Sequence, residues 1–170
     1  MVSTTQITFI FATLFIMLSQ ALPLERRVEN INIKVTSTSE FCSYLPPSPG
    51  GDIASAEGNA VPFCTNTQAT GTRQFPTGFI KTAHFSSTST YSQVTGTIDR
   101  TKYKLSASDG GGQYDNLNEI GGTCNGYGHW VNLVEPDSNI FCIRCCKNSS
   151  DCNLGRSEYG CKRVVPGDYS

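Results

Sequence analysis

The feature that most constrains the fold of this 170-residue chain is its eight cysteines. All of them lie between residues 42 and 161, and their number is even. In an exported protein, an even set of cysteines forms disulfide bonds, which stabilise small domains whose apolar core is thin. The sequence therefore predicts a fold braced by bridges among Cys42, Cys64, Cys124, Cys142, Cys145, Cys146, Cys152 and Cys161.

The adjacent pair Cys145 and Cys146 constrains the bridges further. Consecutive side chains of an extended backbone point to opposite faces, so we expect these two cysteines to bond to partners in different layers of the fold. The remaining connectivity stays open, because eight cysteines permit about 105 pairings. The Cys142-x2-Cys145 spacing also suits zinc. The cluster holds no histidine, however, and an oxidising compartment favours disulfides.

The N-terminus has the pattern of a secretory signal. Ile7 to Leu18 form an apolar run of twelve residues, which is too short to span a bilayer and of the right length for a signal peptide. Small side chains at Ser19 and Ala21 suit signal peptidase, although no Lys or Arg precedes the run. We expect residues 1–21 to be removed after Ala21; a buried helix of the folded domain is the alternative.

A dibasic site follows the expected cut. Arg26 and Arg27 predict a short pro-segment, residues 22–27, that is trimmed after Arg27; an ordinary exposed charge pair is the alternative. Residues 28–170 then form a single cysteine-rich domain. No later segment is long and apolar enough to cross a membrane, so we expect a released, extracellular monomer.

The charge balance gives no sign of an ionic partner. Thirteen Lys and Arg oppose fourteen Asp and Glu, for a formal net charge of −1, which gives no reason to expect nucleic acid or an anionic membrane surface. Hydrophobic residues make up only 38% of the chain, which disfavours a large α/β enzyme with an aliphatic core.

Alternating apolar and polar residues predict β-strands. The pattern recurs at residues 31–35, 91–98, 129–134 and 140–145, whereas no long stretch after Val28 has helical periodicity. Clusters of Gly and Pro, as in residues 45–51 and 109–112, predict long loops. We expect an all-β fold with little helix: a compact, disulfide-braced β-sandwich or barrel.

Common catalytic motifs are absent. The chain has no G-x-S-x-G, H-E-x-x-H or P-loop sequence, and its two histidines are far apart. Four acidic residues remain as candidates for a glycan-active hydrolase: Asp109, Asp115, Glu135 and Asp137. Their setting among Gly and Pro favours turn formation instead. Calcium binding at residues 109–116 is a further alternative, although the loop lacks EF-hand order. We expect no catalytic residue, metal or cofactor.

Three aromatic residues form a candidate ligand platform. Tyr114, Tyr127 and Trp130 lie among glycine-rich loops, where exposed rings would stack on sugar faces. The alternative is that the single Trp belongs to the core. Asn148, in the sequence Asn-Ser-Ser, is the candidate N-glycosylation site.

Five motifs, in order along the chain, carry a family resemblance: Phe41-Cys42-x-x-Leu45-Pro46-Pro47, Phe75-Pro76-x-Gly78-Phe79-Ile80-x-Thr82-Ala83-His84, Thr95-Gly96-x-x-Asp99-Arg100-Thr101-Lys102-Tyr103, Ser108-Asp109-Gly110-Gly111-Gly112-Gln113-Tyr114-Asp115 and Phe141-Cys142-Ile143-Arg144-Cys145-Cys146. They resemble a family of small secreted fungal proteins labelled macrophage-activating glycoprotein, and the resemblance runs from about Phe41 to Tyr169. It implies no enzymatic activity and no catalytic residues.

The early region and the dibasic site are also similar in general character to strigolactone-induced secreted proteins of arbuscular mycorrhizal fungi, a similarity that implies a role in root symbiosis. We therefore expect a secreted, non-enzymatic effector-like protein that supports host colonisation by binding a host or cell-wall component, with glycans among the candidates. The alternatives are a cell-wall carbohydrate-binding protein and a glycan-active hydrolase.

Overall fold

The computed structural model describes residues 31–66, 69–117 and 120–170. The predicted signal peptide and pro-segment, with Ala21 and Arg27, lie outside the described residues. The strands are β1 (Asn32–Ile33), β2 (Cys42–Leu45), β3 (Val61–Cys64), β4 (Arg73–Gln74), β5 (Ile80–Ser87), β6 (Tyr91–Ile98), β7 (Gly112–Asp115), β8 (Thr123–Cys124), β9 (His129–Glu135) and β10 (Ile140–Cys146). The helical segments are the single turn α1 (Cys161–Val164) and short 3₁₀ turns at Ala54–Ala56, Arg100–Tyr103, Ser149–Asp151 and Ser157–Tyr159. The prediction of an all-β fold with little helix is confirmed.

The strands form three sheets. The largest is antiparallel, with the order β5-β6-β10-β9-β7, and among the described strands β5 and β7 form its edges. A smaller sheet has the order β2-β3-β4, and β1 pairs in parallel with β8. Because the large sheet is open, the arrangement is layered like a sandwich and is not a closed barrel.

The small sheet packs on one face of the large one. The ring of Tyr44 in β2 stacks on Trp130 in β9 with 4.4 Å between centroids, and Phe41 stacks on Phe141 in β10 at 5.7 Å. Asn132 joins the layers through polar contacts, since its Oδ1 accepts hydrogen bonds from Ser43 Oγ (2.7 Å) and Tyr44 N (3.0 Å). This face holds most of the aromatic core.

The C-terminal segment covers the opposite face. Val131 and Leu133 of β9 pack there with Val164 and Val165. Side chains of β6 hold the last residues in place: Gln93 Nε2 donates to the Pro166 carbonyl (2.9 Å), and Thr95 Oγ1 donates to the Asp168 carbonyl (2.6 Å). The central strand β10 is therefore buried along its whole length.

The eight cysteines all form disulfides, which brace both faces. The pairs are Cys42–Cys64, Cys124–Cys145, Cys142–Cys161 and Cys146–Cys152. Cys145 and Cys146 take partners from different layers, as the sequence predicts: Cys145 bonds toward β8, and Cys146 bonds toward the C-terminal segment. Cys142 and Cys145 are both oxidised, so the zinc alternative at their spacing is wrong.

Three of the four predicted strands are confirmed, and in the structure all three are buried along most of their length. The predicted strands at residues 91–98, 129–134 and 140–145 correspond to β6, β9 and β10. The first predicted strand, at residues 31–35, is shorter in the structure: only Asn32–Ile33 form β1, and Val35 makes an isolated bridge to Phe41. The chain turns at once after Val35, where Thr36 N donates to the Glu40 carbonyl at 2.9 Å.

Among the helices of the described residues, none reaches the length and apolarity that a membrane span requires.

Candidate functional site

A cleft of about 570 Å³ opens between the Gly110–Gly112 loop, which leads into β7, and the Glu158–Gly160 segment, which leads into α1. We call it the Glu135 cleft. Its lining consists of Ala54, Glu57, Gly110, Gly111, Gly112, Gln113, Leu133, Glu135, Glu158, Tyr159 and Gly160.

The glycine wall of the cleft is fixed by Asp109. Its Oδ1 accepts a hydrogen bond from Gly111 N (2.9 Å) and its Oδ2 accepts one from Ile53 N (3.0 Å). Gly111 has φ +91°, and a Cβ there would lie 2.1 Å from the Val134 carbonyl oxygen. Only glycine fits this position, because β7 begins in direct contact with the backbone of β9.

The opposite wall is fixed by a covalent bond and a hydrogen bond. Cys161 is bonded to Cys142 of β10, and its backbone N–H donates to the Glu135 carboxylate. Gly160 has φ +68°, which suits glycine and lets the chain pass close to the same carboxylate. Both walls are thus held by the fold before any ligand arrives.

Glu135 ends β9 and is half-buried. Burial raises the pKa of its carboxyl above the ordinary value, and the nearby Asp137 adds to the rise; the Cys161 N–H and Lys162 act in the opposite direction. The raised pKa reflects a carboxyl that has lost part of its water shell without a full set of partners.

Gln113 lines the cleft and holds an unpaired acceptor buried in its wall. It is only 5% exposed, and its Nε2 donates to Asp115 Oδ2 at 2.7 Å. That contact orients the amide, because a carboxylate oxygen accepts hydrogen bonds and the amide oxygen cannot donate one. Within the part of the chain that the structure describes, Gln113 Oε1 has no hydrogen-bond partner.

Tyr159 supplies an aromatic surface at the cleft. Its ring is 47% exposed, and the guanidinium groups of Arg163 and Arg156 lie 4.6 Å and 5.8 Å from its centroid. The cleft therefore combines hydrogen-bond acceptors with an exposed ring edged by positive charge. Such a set suits a polar ligand that donates hydrogen bonds and has an apolar face.

The predicted ligand platform does not form. Trp130 and Tyr114 have no exposed surface: Trp130 stacks on Tyr44, and the Tyr114 hydroxyl donates to the Ile53 carbonyl at 2.8 Å. Tyr127 is partly buried, with the Lys147 ammonium 5.8 Å from its ring centroid. The platform prediction is wrong because both Trp130 and Tyr114 point into the aromatic core between the sheets.

The acidic candidates separate into two groups. Asp109 has both oxygens bonded to backbone N–H groups, and buried Asp115 accepts from Gln113 and from Leu117 N (2.7 Å). Asp137 holds the same turn through its backbone, donating to the Asp109 carbonyl at 3.0 Å. Glu135 alone of the four lines the cleft.

The calcium alternative at residues 109–116 loses its main ligand to the same turn, since the Asp109 oxygens face backbone N–H donors. Across residues 31–66, 69–117 and 120–170, no group of three or more His, Cys, Asp or Glu side chains is placed to hold a metal ion.

Asn148 is exposed and lies between Cys146 and Cys152, which a disulfide joins. Its side-chain amide donates to Asp151 Oδ2 at 3.1 Å. The surface position leaves the sequon accessible to modification.

Sequence reasoning missed Gln113, Glu158 and Tyr159. The available signal was the Glu158-Tyr159-Gly160 triplet, an aromatic residue beside an acid and a glycine, just before the last cysteine. Gln113 had no signal of its own, because its importance comes from the unpaired amide oxygen that the fold creates.

Fold and cleft together define a disulfide-braced all-β protein with a preformed polar cleft on its surface. Two fungal appressorium proteins are homologous to it. The chain is 31% identical over 156 residues to appressorium protein ROW1 of Mycosarcoma maydis, in an alignment that covers 79% of this chain and 36% of ROW1. It is 33% identical over 132 residues to appressorium protein ROW2 of the same fungus, covering 69% of this chain and 45% of ROW2.

The chain thus spans less than half the length of either curated relative. No protein-family model matches the chain, and no solved structure matches it.

Proposed function

We propose that this protein is a secreted fungal protein that acts outside the cell at the host interface and supports host colonisation by binding a host or cell-wall component. The observation that carries the proposal is the homology to two proteins named for the appressorium, the structure with which a fungus enters its host. Four disulfides add support, because such bonds persist in oxidising, extracellular surroundings.

We propose a binding role and no catalysis. A glycosidase of the usual kind needs two carboxyl groups on either side of the scissile bond. Asp109 and Asp115 are both engaged in hydrogen bonds with backbone N–H groups, and Glu135 accepts one from the Cys161 N–H. All three acids thus have a structural role, which supports binding over catalysis. The cell-wall carbohydrate-binding alternative is one form of the same role.

The finer expectations belong to this proposal. They are cleavage after Ala21 and Arg27, an N-glycan on Asn148, a symbiotic setting, and the resemblance to macrophage-activating glycoproteins. Mass spectrometry of the protein from culture fluid is expected to find a mature N-terminus at Leu22 or Val28 and a glycan on the exposed Asn148. A leader still attached to protein retained inside the cell would contradict secretion.

A deletion strain tests the role itself. Loss of the gene is expected to reduce colonisation of the host, and the wild-type gene is expected to restore it. A version without residues 1–21 should fail to restore colonisation, because it would not be exported. Normal colonisation by the deletion strain would overturn the proposed function.

A further inference from the structure

The Glu135 cleft has the features of a ligand site that the fold leaves incomplete. Gln113 Oε1 is a buried acceptor with no partner among the described residues, and its amide is held in place by Asp115. Leaving a buried acceptor unpaired carries a free-energy cost, so a ligand hydroxyl that reaches Oε1 through a small shift of the Gln113 side chain would recover free energy there.

The other polar groups of the cleft also accept hydrogen bonds. Three acidic residues, Glu57, Glu135 and Glu158, line it with Gln113 and carry carboxyl oxygens. A suitable ligand therefore carries several donors close together, as the hydroxyl groups of a sugar ring or the amines of a polycation do.

The charge around Tyr159 distinguishes these two classes. Arg156 and Arg163 lie against its ring, and Lys162 is close enough to Glu135 to affect its pKa. The three positive charges offset the three carboxyl groups of the lining, so a cationic ligand gains little net attraction, whereas a neutral polyhydroxyl ligand needs none. The exposed part of the Tyr159 ring offers an apolar surface of the kind on which a sugar face packs.

We propose that the Glu135 cleft binds a neutral saccharide, with Gln113, Glu135 and Glu158 accepting hydrogen bonds from ring hydroxyls and Tyr159 packing on the sugar face. This inference rests on the proposed function, because it names the class of component that the protein binds. The cleft is preformed: Asp109 holds the glycine wall and the Cys142–Cys161 disulfide holds the other.

Isothermal titration calorimetry with the purified, disulfide-bonded protein tests the inference. The probes are three neutral oligosaccharides, from chitin, β-1,3-glucan and cellulose, and one cationic glucosamine oligomer. We expect at least one neutral probe to bind, and the comparison among the three identifies its source. Binding of none of the neutral probes, including the case in which only the glucosamine oligomer binds, would overturn the proposal.

Surface variants locate the binding. Tyr159→Ala is expected to weaken binding by about tenfold, since ring contacts of this kind contribute up to about 1.4 kcal/mol, whereas Tyr159→Phe keeps the ring and should stay close to wild type. Leu117→Ala is the matched control, because Leu117 is also an exposed apolar side chain, at 65%, and does not line the cleft. Unchanged affinity in Tyr159→Ala would overturn the proposed site.

Glu135→Gln adds a second measurement. It keeps an acceptor for the Cys161 N–H, so the fold should survive, and a ligand bonded to the carboxyl should bind more weakly. Wild-type affinity in both Glu135→Gln and Glu158→Gln would contradict the role of the carboxyls.

The two proposals can fail separately. Reduced colonisation by the deletion strain without saccharide binding in vitro would leave the proposed function standing and overturn the inference about the cleft. Saccharide binding in vitro together with normal colonisation by the deletion strain would support the inference about the cleft and overturn the proposed function.

Discussion

Trp130 is the single tryptophan of the chain, and its ring lies flat on Tyr44 in the interior. Gln113, which has an ordinary polar side chain, instead holds an unpaired oxygen buried in the cleft wall. At the scale of the residue, the role of a side chain therefore depends more on its neighbours in the fold than on its residue type. A large aromatic ring between glycine-rich loops fits a binding platform and a core equally well until its neighbours are known.

Glu135 gives the clearest residue-scale prediction. Its pKa is raised in the folded state by burial, so the folded protein binds the proton more tightly than the unfolded chain does. The resulting stabilisation is present at low pH and is lost as the pH rises through the raised pKa. Relative to Glu135→Gln, the wild type should lose free energy of unfolding across a window that begins near the ordinary Glu pKa of about 4.3 and extends above it.

Urea unfolding of both proteins, at several pH values from about 3 to about 7, measures this difference. Glu158→Gln is the control, because it removes a carboxyl from the same cleft wall at a position that is exposed to solvent. A wild-type minus Glu135→Gln difference that is independent of pH would contradict the prediction.

At the scale of the element, β6 and β10 form the centre of the fold because neighbours cover both of their sides and both of their faces. β10 pairs with β6 along seven residues and with β9 along seven, and all of its side chains are buried. This burial explains the run of apolar residues and cysteines from Ile140 to Cys146. It also explains how Arg144 is tolerated there: Arg144 Nε donates to Gln93 Oε1 at 2.8 Å, and Nη1 donates to the Asp151 carbonyl at 2.9 Å.

Gly96 allows β5 to pack onto β6. A Cβ at this position would lie 2.1 Å from the Thr82 carbonyl oxygen and 2.8 Å from its carbonyl carbon. Because both are backbone atoms in a paired strand, Gly96→Ala is expected to lower the free energy of unfolding by about 1–3 kcal/mol. Chemical denaturation measures the loss.

Gly128→Ala is the matched control for Gly96→Ala, since a Cβ at Gly128 meets no heavy atom within 4 Å. Its stability should stay within about 1 kcal/mol of wild type, because the only change is a small one in backbone entropy. Equal stabilities of the two variants would contradict the close packing of β5 on β6.

At the scale of the whole molecule, disulfides connect layers that share little regular secondary structure. Three of the four bridges start from β10: one reaches β8 on the aromatic face, and two reach the C-terminal segment on the other. The fourth, Cys42–Cys64, joins β2 to β3 within the small sheet. The bridges therefore make β10 the attachment point for both outer layers, which a thin apolar core would hold less firmly.

Removing one bridge from each layer tests this arrangement. Cys142→Ala with Cys161→Ala, and separately Cys42→Ala with Cys64→Ala, should each cost about 2–4 kcal/mol of stability. Only the variant without the Cys142–Cys161 bridge should release the C-terminal layer. Hydrogen exchange at Val164 and Val165, whose N–H groups bond to Gly160 and Cys161, should then speed up locally.

The Cys42/Cys64 variant is the control, and its Val164 and Val165 amides should exchange only through global unfolding. Full protection of these amides in the Cys142/Cys161 variant would show that the bridge does not hold the layer.

Much of the fold could be predicted from alternation alone. Period two identified β6, β9 and β10, and the same rule separated Cys145 from Cys146. The strands β2, β3 and β7 are four residues long, which is too short for a period-two pattern to stand out. The strand β5 is eight residues long, but a register shift between Ile80 and Thr82 interrupts its alternation. Short strands become regular only where a partner strand completes their hydrogen bonds.

The cleft could be predicted only in part. The sequence Glu135-Pro136-Asp137 points to Glu135 as a candidate acid, but the rest of the cleft comes from Gly110–Gln113 and from Glu158–Gly160, segments that are distant in sequence. Their approach depends on the Cys142–Cys161 bond and on the pairing of β7 with β9. No local sequence pattern predicts that these segments lie together in the fold. For the same reason, the sequence of the loops around Trp130 and Tyr114 does not predict that the two rings are buried.

The amino-acid order by itself determined that this chain would be an all-β, disulfide-bonded molecule, because strand periodicity and cysteine number are local properties of a sequence. Tertiary structure alone decided which cysteines pair, which aromatic rings are buried and which acids share a cleft. These outcomes depend on distances between residues far apart in the chain, and such distances are set when the layers pack together.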